Sequence, residues 1–154
     1  MAIGTITLFN QFDLDIGLKL LNLDTDAIKV GLVTNATIPA ATDPYPNWGG
    51  ALVLTTGTDF SANEIVPATS YVAGGTDIAT SYTGNAGVST FDAATNPTWA
   101  QDAGGAADIY YGIIYDSTDA DGRAIGFIDL GGPLSLVVGP ITITWNAAGI
   151  ATFS

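Results

Sequence analysis

The sequence predicts a mainly β protein: a single antiparallel β-sandwich or jelly-roll-like domain over residues 1–154, with one short N-terminal helix. Three observations predict it. From residue 27 onward, short apolar or alternating runs recur between Gly- and Pro-containing turns. Charged residues make up 12% of the chain, against roughly 25% in an ordinary soluble domain; Thr, Ser, Asn and Gly dominate the polar remainder. No internal repeat and no break in composition marks a second domain.

The elements follow in order. Phe9, Phe12, Ile16 and Leu20 recur at spacings of three and four, which predicts a helix over about 9–21 that plugs one end of the sandwich. Asn10 is the candidate cap, and Gly17 weakens the segment. Asp24-Thr25-Asp26 supplies turn residues. Ala27 to Thr34 is a strand with Ile28, Val30 and Leu32 on one face. Residues 35–50 hold Pro39, Pro44, Pro46 and Gly49-Gly50 and read as a long loop, a length uncommon unless the loop has work to do. Ala51 to Leu54 and Ile65-Val66 are candidate edge strands. Tyr71 to Gly75, Asp77 to Tyr82 and Val88 to Asp92 are further strand pieces.

The last third is clearer. Ile109 to Tyr115 is apolar on both faces, as a central strand should be. Asp116 to Arg123 is a turn-forming loop, and Ala124 to Leu130 returns beside the central strand. Ile141, Ile143 and Trp145 alternate with Thr142 and Thr144. Gly149 then suits a left-handed turn, so Ile150 to Phe153 is expected to close a C-terminal hairpin. Pro133 and Pro140 fall at strand ends, where a missing N–H is tolerated.

The inventory of reactive side chains excludes most chemistry. There is no His and no Cys, one Glu (Glu64), and three basic residues, Lys19, Lys29 and Arg123; fourteen Asp oppose them. Ser–His and Cys–His catalysis and thiolate metal sites are excluded, and no phosphate-binding glycine loop is present. A Ser–Lys dyad has only Lys19 and Lys29 to draw on, and both fall at solvated positions. Paired carboxylates suit glycoside hydrolysis, but the pattern singles out no pair. The expectation is therefore no enzyme, no catalytic residues and no cofactor. A net charge of −12 repels nucleic acid and anionic membranes. No stretch approaches the ~20 apolar residues of a membrane span. The N-terminus does not read as a signal peptide, so synthesis in the cytoplasm is expected.

Three binding motifs remain. Ser117-Thr118-Asp119-Ala120-Asp121-Gly122 echoes the start of a calcium loop, with Asp116, Asp119 and Asp121 as candidate ligands. Its first position is Ser and the closing Glu position is Ile128, so turn chemistry is the stronger reading and no metal residues are assigned. Tyr45 and Trp48, in the Pro-rich loop, form a candidate surface contact: a stacking platform for a glycan if their rings lie exposed, or, for Trp48, a lid over one end of the sandwich. Trp99 and Trp145 read as core or interface residues. Asn35-Ala36-Thr37 matches a glycosylation sequon, of little weight without a signal peptide.

Several segments together resemble a family of small structural proteins of tailed bacteriophages and prophages. Leu23 to Thr34 (LDTDAIKVGLVT) resembles its turn-and-strand start, and Ser61 to Val66 followed by Tyr71 to Gly75 its next signature. Ile113 to Asp116 with Ile125 to Asp129 is similar to its late strand pair, and Ile141 to Ile150 (ITITWNAAGI) to its ending. The resemblance implies a non-enzymatic virion protein without a cofactor. The expected role is a capsid decoration (cement) protein on the outer surface of the particle. It would be bound to the major capsid protein, self-associated as a homotrimer, and without nucleic-acid or membrane partners. A tail adaptor or fibre-attached module is the alternative, and a carbohydrate-binding module using Tyr45 and Trp48 is the alternative from another class.

Overall fold

The computed structural model describes residues 5–50 and 57–154. A five-stranded antiparallel sheet organises them. It is built from β1 (Ile6–Leu8), β2 (Ile28–Val33), β3 (Thr76–Ile78), β7 (Ile109–Asp116) and β8 (Ala124–Leu134), in the order β1-β8-β7-β2-β3. A second sheet joins β4 (Thr80–Asn85), β5 (Val88–Ala93) and β10 (Ala151–Phe153) in the order β10-β5-β4. A two-stranded ladder pairs β6 (Thr98–Trp99) with β9 (Ile141–Thr142). The architecture is β-sandwich-like, as the strand pattern predicts.

β7 lies at the centre of the large sheet, and its two-sided apolarity has a direct reason: both faces of the sheet are covered. Val30 and Leu32 of β2, Ile114 of β7 and Ile128 of β8 face one core, shared with Phe91, Trp99 and Ile143. Val33, Ile113, Tyr115 and Phe127 face a second core, capped by Phe9, Trp48 and Phe60. Ile125 joins the first core although Phe127, two residues on, faces the second. The register explains this: Ile114 opposes Gly126 while Tyr115 opposes Ala124, so Ile125 is the extra residue of a β-bulge.

The helix α1 (Asn10–Gly17) is shorter than the apolar spacing predicts. Lys19 takes the left-handed conformation (φ 59°), and the Leu20 and Lys19 N–H groups donate back to Asp15 and Ile16. That is a Schellman closure with Lys where Gly is usual. Phe9 and Phe12 are buried, one in each core, whereas Ile16 and Leu20, the other half of the expected stripe, are exposed. Asn10 does not cap the helix: Phe9 is the N-cap residue and provides no side-chain bond.

Other boundaries also differ from expectation. The stretch 77–82 is two strands, because the chain crosses from the large sheet to the small one at Ala79. Tyr71 to Gly75 is a turn rather than a strand, with Gly74 and Gly75 both at positive φ. Ile65-Val66 forms no strand; a 3-10 turn, Phe60–Asn63, is followed by a single bridge from Glu64 to Val33. Ala51 to Leu54 lies outside the described residues. The C-terminal hairpin does not form: β10 pairs with β5, and Gly149 (φ 101°) turns the chain toward that partner. Among the described residues no helix is long and apolar enough to cross a membrane.

Candidate functional site

The loop 35–50 is fastened down at its distal end. The Trp48 N–H donates to the Gly122 carbonyl (2.8 Å), the Ala124 N–H to Pro46 (3.0 Å) and the Asn47 N–H to Thr58 (2.9 Å). These bonds drive Trp48 inward. Its ring stacks on Tyr115 with centroids 4.9 Å apart and planes 7° from parallel, and its exposure is 9%. It also lies over Gly31, where a Cβ would fall inside the indole. Trp48 is thus a lid on the second core and not half of a sugar platform. Tyr45 does remain exposed, at φ 41°, but the recess beside it is only ≈ 10 Å³, about enough for one water.

The loop 116–123 is built around Arg123. Its guanidinium reaches Asp119 (2.7 Å), Asp121 (2.8 Å) and Asp15 of α1 (3.2 Å), and Asp15 is 2% exposed. Gln11 donates to the same Asp15 oxygen (3.0 Å). Two of the three carboxylates proposed as calcium ligands are therefore turned onto a cation the chain itself supplies. The third, Asp116, accepts the Thr118 N–H (2.7 Å) and the Asp119 N–H (3.3 Å) and closes the loop from inside. Turn chemistry accounts for all three. Burial, reinforced by the Asp26 carboxylate beside it, pushes the Asp116 carboxyl up to about 6.

Glu64 anchors a second polar network. It accepts from the Tyr71 hydroxyl (2.8 Å) and the Gly74 N–H (2.6 Å), while Tyr71 accepts the Leu32 N–H (3.0 Å) and the Tyr115 hydroxyl donates to the Gly74 carbonyl (2.6 Å). Burial holds the Tyr71 phenol well above its usual range and, with the Glu64 and Asp77 charges, pushes Tyr115 up to about 12. Both phenols stay neutral, as donors that tie the 71–75 turn to β2 and β7. Of the two lysines, Lys29 lies 3.9 Å from Asp77 and Lys19 is exposed beyond the helix.

One hollow, beside Trp145, was not anticipated by any motif. It measures ≈ 290 Å³ and is bounded by Thr5, Ile6, the turn 146–149, Trp145 and Thr152. Trp145, read from sequence as core or interface, is half-buried there, and Trp99 is buried in the first core. Comparison with protein-family models, curated proteins and solved structures finds no match to this chain.

Proposed function

We propose that this protein is a non-enzymatic structural component of a tailed-phage virion, a decoration protein on the outer head shell that ties neighbouring major capsid proteins together. The observation that carries the reading is where the ionisable groups go. Asp15, Asp119 and Asp121 hold Arg123, Asp116 and Asp59 close turns, and Glu64 pins the 71–75 turn. The ≈ 290 Å³ hollow beside Trp145 has no acid or base in its wall. Such a domain is equipped to persist and to bind, its acids engaged in holding turns and the one arginine. The exposed apolar side chains Leu14, Leu18, Ile38, Val66, Val72 and Val138 give it surface to bury against neighbours.

The mechanism is mass action: a ligand that binds only the assembled lattice stabilises that lattice. Quantitative mass spectrometry of purified particles, with immuno-electron microscopy, tests it. Hundreds of copies per particle and head labelling are expected, with the free protein trimeric by native mass. A few to dozens of copies on the tail would replace the reading with a tail adaptor, and absence from particles would end it.

A further inference from the structure

Two sheet edges come together at the ≈ 290 Å³ hollow. β1 is the terminal strand of the large sheet and β10 of the small one. Ile6 of β1 forms one wall, with Ala151 and Thr152 of β10 and the residues Thr144 to Asn146 opposite. The volume is close to the lower end of small-ligand sites, about 300–1,000 Å³.

The chemistry of the wall sets the class of ligand. In a protein of net charge −12 it holds no charged side chain. Its aromatic ring is fixed in place: the Trp145 indole N–H donates to the Thr95 carbonyl (3.0 Å), and its backbone N–H to Asn96 Oδ1 (3.0 Å). Asn146 Oδ1 accepts the Ala148 N–H (2.9 Å), which orients the amide and leaves its Nδ2 free to donate. Thr144 and Thr152 are exposed, with hydroxyls able both to donate and to accept.

We propose that this hollow binds a neutral saccharide. A pyranose ring has an apolar C–H face and a rim of hydroxyls. The face packs on the immobilised Trp145, and the rim meets Thr144, Thr152 and the Asn146 amide. Because the ring and the amide are held before the ligand arrives, little ordering opposes binding. Anionic sugars are disfavoured by the charge of the whole protein. The competing occupant is an extended peptide added to an open edge. The edges are only three residues each (Ile6–Leu8 and Ala151–Phe153), too short to template a strand well. The inference concerns a different surface property from virion attachment and stands or falls separately from it.

The test uses the intact chain on an array of neutral and sialylated glycans, followed by titration of the best neutral glycan monitored by tryptophan fluorescence. A dissociation constant of ~1 mM or tighter for at least one neutral glycan is expected, with Trp145→Ala weakening it roughly tenfold or more. Trp145 also packs on the core, so Thr152→Val serves as the variant that keeps the fold, with Asn146→Ala, which also gives up the bond to the Ala148 N–H, beside it. Each should weaken binding about two- to tenfold, the worth of one hydrogen bond, with an unchanged melting temperature for Thr152→Val; Tyr45→Ala should leave binding intact. Absence of neutral-glycan binding, affinity unchanged in Thr152→Val and Asn146→Ala, preference for sialylated glycans, or displacement of the glycan by a short Thr-Val repeat peptide would each overturn the proposal.

Discussion

Replacing Trp48 by Ala separates the two roles the sequence leaves open for this residue. The ring is 9% exposed, stacks on Tyr115 at 4.9 Å, and overlies a glycine that has no side chain to fill the gap. Truncating a buried Trp costs about 3–5 kcal/mol, and the lost stack about 0.5–1.5 kcal/mol where that figure does not already include it. Gly31 and Gly122 lie against the ring and the Trp48 backbone, so collapse into the cavity is limited and a loss of ~4 kcal/mol follows. For a chain of this length 1 kcal/mol moves the melting temperature by about 2–4 °C, giving a drop of roughly 8–16 °C. Scanning calorimetry, with guanidinium denaturation to supply the free energy, measures both quantities. A drop below about 2 °C would refute the lid, and would return Trp48 to the surface as a partner for Tyr45.

Four further outcomes follow from the same geometry. Arg123→Met leaves Asp15, at 2% exposure, without its cation, and should cost about 3–5 kcal/mol in chemical denaturation. Calcium at ~1 mM, within the range of weak extracellular sites, should leave the melting temperature unchanged, because Asp119 and Asp121 already hold Arg123; a clear rise would reinstate the calcium loop. Asp116 carries a carboxyl raised from 3.8 to about 6, so the folded state keeps a proton that the unfolded state releases. Its contribution is full below 3.8 and lost as pH rises through about 6. Asp26→Asn should therefore gain stability over the wild type between those limits, read from denaturation midpoints; a pH-independent difference would refute the pairing. Lys19→Gly relieves a left-handed residue at the helix end and should stabilise by about 0.5–1 kcal/mol in the same assay.

Much of the fold is legible in the chain, and what is not has identifiable causes. β2 and β7 are found close to their expected limits, because their apolar residues report burial between the two cores; β5 is found as well, though Phe91 alone of it is buried. The helix is overextended by its own periodicity. Spacing continues through Leu20, but a backbone turn at Lys19 ends the helix first. Glu64 and Arg123 are visible as rare residue types, and most of their partners lie within ten positions, but the buried Asp15 meets Arg123 across 108 positions. The hollow beside Trp145 carries no motif, since it is made by the meeting of two edges.

The sequence by itself determined the fold class, the two-sided burial of Ile109 to Tyr115 and the absence of His and Cys chemistry. Each is a property of composition or of local periodicity, which needs no knowledge of neighbours. Only the tertiary structure decided which side chains meet. It sent β10 to β5 instead of into a local hairpin, turned Asp119 and Asp121 onto Arg123, and folded Trp48 over Gly31 while leaving Trp145 half-exposed. Aromatic residues suit surface and interior alike, and an acid enters the interior only where it finds a partner. Their roles are settled by what packs against them, and that is a property of the whole chain.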